Sequence, residues 1–422
     1  MSLALAAYRL AAGLAEPLAG PLLRRRSRRG KEDGARLGER LGRASQPRPP
    51  GPLVWLHGVS VGESVSLLPL VEALRAARPD LAMLVTSGTR TSADLLARRL
   101  PAGVLHQYAP VDGPRAVAAF LDHWRPDLAL LVESELWPNL ILAAQARGTR
   151  LALASARITE KSARGWGRAP GAAAGLLSAF DLILPQDEAT AGRLAALGAR
   201  PGPQLNLKTV GAPLPCDPAE LAALKDAWGG RPVILAASTH PGEEAMVLEA
   251  FKPLAERDPA PLLVLAPRHP ERGAEVGETA RAAGLSVGRR ALGQAPGAVY
   301  VAETLGELGL FFRLAEAVVL GGGFAPGVGG HNPLEPARLG RCVITGPEVF
   351  NAQSLYDQLF EACAVLFARD GADLARHMAG LLDNPVIARR MGEAAQAVAR
   401  RGDAALERAL EHIWPLLPEV AP

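Results

Sequence analysis

Gly321-Gly322-Gly323-Phe324-Ala325-Pro326-Gly327-Val328-Gly329-Gly330-His331-Asn332-Pro333-Leu334-Glu335-Pro336 follows a short apolar run, residues 317–320, that reads as a buried strand. A helix is predicted to start near 333–335. Six glycines between strand and helix let the backbone approach a ligand and take up positive φ where a turn needs it. A helix beginning there presents N–H groups and the positive end of its dipole, which suits a phosphate or a sugar-acid carboxylate. Asn332 and Glu335 add an amide and a carboxylate suited to a ribose diol.

On either side of this stretch, apolar runs alternate with helical periodicity. Strands are predicted at 233–237, 262–266, 299–301, 317–320 and 342–345, with helices at 243–255, 271–283 and 305–313 and closing helices from 372 to about 413. An earlier half repeats the pattern. Its strands are expected at 53–56, 81–85, 104–107, 128–132, 151–154 and 182–184, with helices at 64–75, 91–99, 114–124 and 139–147. Such alternation predicts parallel, doubly wound sheets, so the chain reads as α/β with two similar Rossmann-like halves facing a cleft. Residues 46–52 are Pro-rich and read as a linker, and 206–217 breaks the pattern like an interdomain hinge.

The chain has 422 residues and a net charge of +3, but the first fifty carry +7 and the remainder −4. A basic end on a mildly acidic body points to an anionic surface partner for that end alone and argues against nucleic acid. Residues 3–23 are mostly Ala and Leu and precede the Arg24–Arg29 cluster. The order of charge and apolar run is wrong for a signal peptide. It suits an interfacial helix or a short anchor with cytoplasmic arginines, with a helix packed on the protein itself as the alternative. The cysteines, Cys216, Cys342 and Cys363, have neither disulfide nor zinc spacing, which predicts reduced, buried thiols and no metal site.

Ligands of open α/β sheets bind beyond the carboxyl ends of strands. There the first half places His57-Gly58-Val59-Ser60-Val61-Gly62-Glu63-Ser64, in which Glu63 is a candidate general base or a helix cap. It also places Glu133-Ser134-Glu135-Leu136-Trp137-Pro138-Asn139, where Glu135 could hold acceptor hydroxyls and Trp137 reads as core. The second half offers Ser238-Thr239-His240-Pro241-Gly242-Glu243-Glu244, whose hydroxyls and N–H groups could hold a phosphate. It also offers Pro267-Arg268-His269-Pro270, with Arg268 suited to an anionic donor, and Gly306-Glu307-Leu308, which could present backbone groups to a base.

Together these pieces resemble one family, the 3-deoxy-D-manno-octulosonic acid (Kdo) transferases of lipid A and lipopolysaccharide assembly. Further matching pieces are Thr86-Ser87-Gly88-Thr89, Asn206-Leu207-Lys208, Gly329-Gly330-His331-Asn332-Pro333-Leu334-Glu335-Pro336 and Arg36-Leu37-Gly38-Glu39-Arg40-Leu41-Gly42. The resemblance implies a GT-B glycosyltransferase: a basic membrane-associating segment (1–45), an acceptor-binding domain (46–208), a donor-binding domain (209–395) and a C-terminal helix (396–422) packing back on the first domain. It implies CMP-Kdo as donor, a lipid A precursor (lipid IVA-like) as acceptor and inversion at the anomeric centre. No cofactor or bound metal is implied, and the place of work is the cytoplasmic face of the inner membrane. Glu63 matches the catalytic base. Ser238, Arg268, Gly306, Glu307, Leu308, Gly330, Asn332 and Glu335 fall in the donor site, and Lys208 lies in a motif near the cleft.

The chain departs from the family pattern at Ser155, where many relatives have Asn, and at Gly323, where Ser is usual. Leu205 replaces Gly, and an Asp expected shortly after Lys208 is missing. Two other readings stay open on sequence alone. One is a two-lobed UDP-dependent transferase or epimerase; the other is a non-catalytic lipid-surface binding protein.

Overall fold

A computed structural model of the chain describes residues 2–419. It divides into two compact units, one running to Val210 and resuming at Gly402, the other Gly211–Arg401.

The first unit holds six parallel strands: β1 (Leu53–His57), β2 (Ala82–Ser87), β3 (Leu105–Tyr108), β4 (Leu128–Val132), β5 (Arg150–Ala156) and β6 (Leu182–Pro185), in the order β3-β2-β1-β4-β5-β6. The strands are apolar on both faces because helices cover both. Leu53, Trp55, Ala129, Leu131 and Leu153 point into one core, and Val54, Leu56, Leu130, Val132 and Ala152 into the other. Pairing of β1 with β4 reverses the winding direction, which puts the crevice of this unit beyond the ends of those two strands.

The second unit has seven parallel strands: β7 (Val233–Thr239), β8 (Leu262–Pro267), β9 (Val287–Arg289), β10 (Val299–Val301), β11 (Ala317–Leu320), β12 (Val343–Thr345) and β13 (Val365–Phe367). Their order is β13-β12-β11-β7-β8-β10-β9, with the switch between β7 and β11. β9 and β13 were not predicted. Each is three residues long, too short for an alternating pattern to show. The two alternating faces again feed two cores, Leu235 and Ala237 on one side and Ile234 and Ala236 on the other.

The last helix, Pro385–Ile413, supplies Ala395, Val398 and Ala399 to a core of the second unit and Ala409, Leu410 and Ile413 to a core of the first. The amino-terminal helix Leu3–Ala15 belongs to the first unit. Leu5 is buried, the Tyr8 hydroxyl donates to Asp112 (2.8 Å), and Glu16 accepts the Arg115 and Ala116 amides (3.1 and 2.7 Å) that open helix Pro114–Trp124. The basic segment is tied down by its acids. Glu39 is buried and takes Arg36 Nε (2.9 Å) and the Tyr108 amide (2.8 Å), and buried Glu32 takes Arg26 Nε (2.8 Å). Among the described residues no helix is long and apolar enough to cross a membrane. All three cysteines are free, but the expectation of buried thiols holds only for Cys342, whose thiol burial pushes up to about 11. Cys216 is half-buried, and Cys363 lies at the surface in a turn at φ 54°.

Candidate functional site

In the first unit, β1 ends at His57 and the chain turns through Gly58–Ser60 into helix Val61–Ala77. Ser60 caps that helix, its Oγ accepting the Glu63 amide (3.3 Å). The Glu63 carboxylate reaches back, Oε2 accepting the Val59 N–H (2.7 Å) and Oε1 the Ser60 hydroxyl (2.7 Å). This is a variant of the capping box, in which the carboxylate takes the amide before the cap, and capping is the structural role allowed for on sequence. It does not exhaust the group. Each oxygen accepts one hydrogen bond and retains capacity for another, so the carboxylate is oriented and ionisable at the strand edge.

His57 is buried beneath this turn. Its Nδ1 lies 2.8 Å from Thr86 Oγ1, which also accepts the Trp55 indole N–H (2.8 Å), and its Nε2 lies 3.5 Å from Glu135 Oε2. Glu135 accepts the Trp137 indole N–H as well. Trp137 is 42% exposed, which overturns its reading as core: proline at 138 starts a helix and leaves the ring outside it. Glu133, one residue past β4, sits at φ 57°, and Ser155 on β5 at φ 51°, where the β5–β6 register shifts. Non-glycine residues in this region cost on the order of 1–3 kcal/mol and concentrate at functional edges. Lys208 lies in this same unit, its Nζ 2.6 Å from Glu133 Oε1, so its immediate partner is a first-unit carboxylate.

In the second unit, β7 and β11 run side by side to Ala237 and Leu320 and then part. The glycine loop turns back over this point. Several of its amides are satisfied by the protein: Gly321 donates to the Ala237 carbonyl of β7 (2.9 Å) and Gly330 to the Gly322 carbonyl (2.9 Å). Gly322 and Phe324 donate to the buried Glu243 carboxylate (2.8 and 3.0 Å), which also takes the His240 amide (2.8 Å). Two of the loop's amides are thus held by Glu243; they are distinct from the amides at the start of the helix Leu334–Arg338, to which the anion reading was attached. Sequence reading saw Glu243 within a phosphate-suited turn. Its burial at the first turn of helix Glu243–Ala255 is a tertiary fact.

A second turn, Gly346–Asn351, was missed altogether and zips onto the loop. The Glu348 amide donates to the Gly323 carbonyl (3.0 Å), the Asn351 amide to that of Gly329 (2.9 Å), and Gly327 N–H to the Glu348 carboxylate (3.0 Å). The fit explains Gly323. A Cβ there would lie 2.4 Å from Thr345 Oγ1 and 2.8 Å from the Gly346 nitrogen. The Gly-Pro pair at 346–347, directly after strand β12, was the available signal.

Of the remaining predicted residues, Ser238 sits at φ 56° on a register shift at the end of β7, and Arg268 is exposed just past β8. Gly306 turns at φ 85°. Glu307 is committed locally: Arg290 (2.7 Å) and the Thr304 hydroxyl bind its carboxylate, and the guanidinium holds its pKa below the ordinary value. The Leu308 side chain packs against the core, which leaves the expected role of this turn to its backbone groups. Asn332 is exposed and its Oδ1 accepts the Leu334 amide (3.1 Å), starting the short helix Leu334–Arg338, on which Glu335 is half-buried. Ser238, Arg268, Gly330 and His331 thus gather at the β7–β11 switch. Among the described residues no group of three or more His, Cys, Asp or Glu is placed to hold a metal.

Residues 35–210 match the family model described as 3-deoxy-D-manno-octulosonic-acid transferase (kdotransferase). The 3-deoxy-D-manno-octulosonic acid transferase of Bordetella pertussis is 37% identical over 389 residues, 88% of this chain and 89% of that protein. The enzyme of the same name from Haemophilus influenzae is 33% identical over 385 residues, 89% of each. Among solved structures, a glycosyltransferase from Rickettsia africae matches with a TM-score of 0.55 at 12% identity, over 87% of this chain and 99% of that one, a likeness of fold.

Proposed function

The chain belongs to the 3-deoxy-D-manno-octulosonic acid transferases, and from that premise we propose that it moves Kdo from CMP-Kdo onto a lipid A precursor with inversion at the anomeric carbon. The observation that carries this is the extent of the match, 88% of the chain at 37% identity, which takes in both GT-B units rather than one. Glu63 is the proposed base. Its carboxylate is fixed by Val59 and Ser60 and removes the proton from the acceptor's primary hydroxyl. The hydroxyl oxygen forms the new bond to the anomeric carbon while the bond to the CMP phosphate breaks. Arg268 is the proposed cation for the leaving phosphate, assisted electrostatically as charge develops. Asn332 and Glu335 are proposed at the ribose. The reaction as proposed draws on no bound metal.

Membrane attachment is part of the same proposal. Leu10, Leu14, Leu18 and Leu22 recur every four residues and are 67%, 74%, 68% and 56% exposed. Arg24, Arg25, Arg28 and Arg29 follow, all exposed. An apolar stripe ending in cations fits the interface of an anionic leaflet, at about 1 kcal/mol per cation near the surface. This supports peripheral binding at the cytoplasmic face of the inner membrane.

The deciding experiment incubates the purified full chain with CMP-Kdo generated in situ and a lipid A precursor, and reads the product by mass spectrometry. Addition of Kdo units with release of CMP is expected. An unchanged acceptor with folded protein would sink the proposal. Thermal protection by UDP but not CMP would favour a UDP-dependent relative.

A further inference from the structure

His240 follows β7, His331 closes the glycine loop after β11, and the two rings meet at the topological switch of the second unit. Their Nε2 atoms are 2.9 Å apart. The ring planes differ by 9° with centroids 5.1 Å apart, so the rings meet tip to tip and nearly in one plane. That geometry suits a single N–H···N hydrogen bond, and a second proton between the nitrogens would set two N–H groups against each other. The geometry therefore has room for one proton between the two nitrogens and not two.

His331 is the fixed member. Its carbonyl accepts the Tyr356 hydroxyl (2.9 Å), its ring donates to the Ser238 carbonyl, and Gly322 wraps it closely enough that a Cβ there would lie 3.0 Å from the ring. Burial first, then His240 and Arg268, push its pKa down to about 4. With its other ring nitrogen turned to the Ser238 carbonyl, His331 accepts at Nε2 and His240 donates there.

Other charged and titratable groups face the pair from every neighbouring element. Arg268 past β8 acts on His331, and His269 sets its ring edge-on to His240 at 6.2 Å, with Glu271 3.6 Å from its Nδ1. Glu243 holds the His240 amide, and its other acceptor capacity is spent on Gly322 and Phe324. Glu244, one residue on, is taken by Arg272 and Thr239. Glu243 and Glu244 are thus buried and engaged, and the His240 ring and the Arg268 guanidinium stand beside the switch.

We propose that His240 is a catalytic residue whose imidazolium meets the charge developing on the leaving phosphate, and that His331 is its positioning residue. The proposal rests on the donor site assigned above. As the anomeric C–O bond breaks, its electron pair passes to the phosphate oxygen. The acceptor's proton goes to Glu63, and the His240 N–H hydrogen-bonds the phosphate oxygen without being consumed. A released nucleoside monophosphate has a second ionisation near ~6, so its dianion gains most from such a donor.

The test is calorimetric binding of CMP to the full chain between about pH 6 and 8, within the range in which histidine charge changes. It compares wild type with His240→Gln and His331→Gln, beside transfer kinetics. Because the dianion gains most, the comparison is made above CMP's second ionisation near ~6, where the ligand is in the same state for all three proteins. Wild type is expected to gain CMP affinity over His240→Gln by roughly tenfold as pH falls, the size of one charge-assisted hydrogen bond. Its kcat should exceed that of His240→Gln by roughly a hundredfold with acceptor KM unchanged. His331→Gln should displace the pH midpoint while retaining binding. Parallel pH dependence of wild type and a folded His240→Gln would overturn the proposal. Histidine NMR of the wild type gives a second reading free of folding defects, and independent full protonation of both rings would overturn it too. A wild type that transfers no Kdo and binds no CMP would instead bring down the donor-site reading beneath it.

Discussion

Lys208 Nζ and Glu133 Oε1 stand 2.6 Å apart, joining the segment after β6 to a residue held at φ 57° just past β4. The lysine is 42% exposed, so the pair itself is worth only about 0.2–1 kcal/mol after solvent screening. Lys208→Met is therefore expected to lower Tm slightly. If Lys208 also reaches the donor, the KM for CMP-Kdo rises in Lys208→Met but not in Glu133→Gln. If its role is confined to the pair, both variants shift alike and a double-mutant cycle recovers the coupling.

Glu63 has an observed role at the helix cap and a proposed one as base, and substitution can separate them. Glu63→Gln keeps an acceptor for Val59 N–H and a polar partner for Ser60, so the capping box largely survives. Glu63→Ala removes it at about 0.5–2 kcal/mol. Both lose the base. Both are expected to lower kcat by roughly 10²–10⁴, and only the alanine variant should melt distinctly earlier. A glutamine variant with near-normal kcat would remove Glu63 from the chemistry.

What could be foreseen in the chain divides along physical lines. Fully buried parallel strands such as β1 and β4 announce themselves as apolar runs, and Glu63 and Arg268 stand where strand ends put them. The capping box was legible too, since Ser60 and Glu63 have its spacing. Interactions between distant segments were not. Nothing local says that Glu243 binds amides nearly eighty residues away, that Gly346–Asn351 fastens the glycine loop, or that His240 meets His331. Nor did composition show that Glu39 and Glu32 tether the basic segment. Periodicity reports which face is buried, and these are questions of what it is buried against.

Gly323 and Ser155, two of the departures expected from the family resemblance, lead to opposite expectations. Adding a Cβ at Gly323 forces Thr345 and the Gly346 backbone apart, an overpacking cost of about 1–3 kcal/mol. Gly323→Ala is expected to lower Tm and weaken CMP protection together. Ser155 occupies φ 51°, where asparagine is favoured over serine, and its Oγ accepts the Leu207 amide (3.3 Å), which an Asn oxygen can also do. Ser155→Asn should raise Tm modestly. A fall would show that the side-chain contact outweighs the backbone preference.

Replacing Leu10, Leu14, Leu18 and Leu22 by Ser should abolish co-sedimentation with phosphatidylglycerol-containing vesicles without a large change in Tm, since all four are exposed. Replacing Arg24, Arg25, Arg28 and Arg29 by Gln should weaken binding to anionic vesicles and remove its salt dependence, while leaving the residual apolar term. Equal binding of wild type and the serine variant would refute the stripe as an anchor.

Acid sensitivity of the first unit is expected to run through His106. Arg36 Nη2 lies 3.3 Å from its Nδ1, and because a guanidinium only donates, Nδ1 must accept. The ring proton is then on Nε2, where the Ser87 hydroxyl (2.9 Å) receives it. Burial, and then Arg36, push the His106 pKa down to about 4 from an ordinary 6.5. With the folded value depressed, the unfolded chain binds more protons across that window. The stabilisation is thus fully present above about pH 6.5 and is lost as pH falls toward 4, amounting to roughly 2–3 kcal/mol at the acid end. His106→Gln can keep an acceptor for Arg36 and a donor for Ser87 without a titrating proton. Thermal melts from pH 7.5 to 4.5 should therefore show a shallower acid decline for the glutamine variant than for wild type, with His331 accounting for part of the slope that remains. Identical slopes would show that His106 takes up its proton equally in the folded and unfolded chain, and would place the acid-labile contact elsewhere.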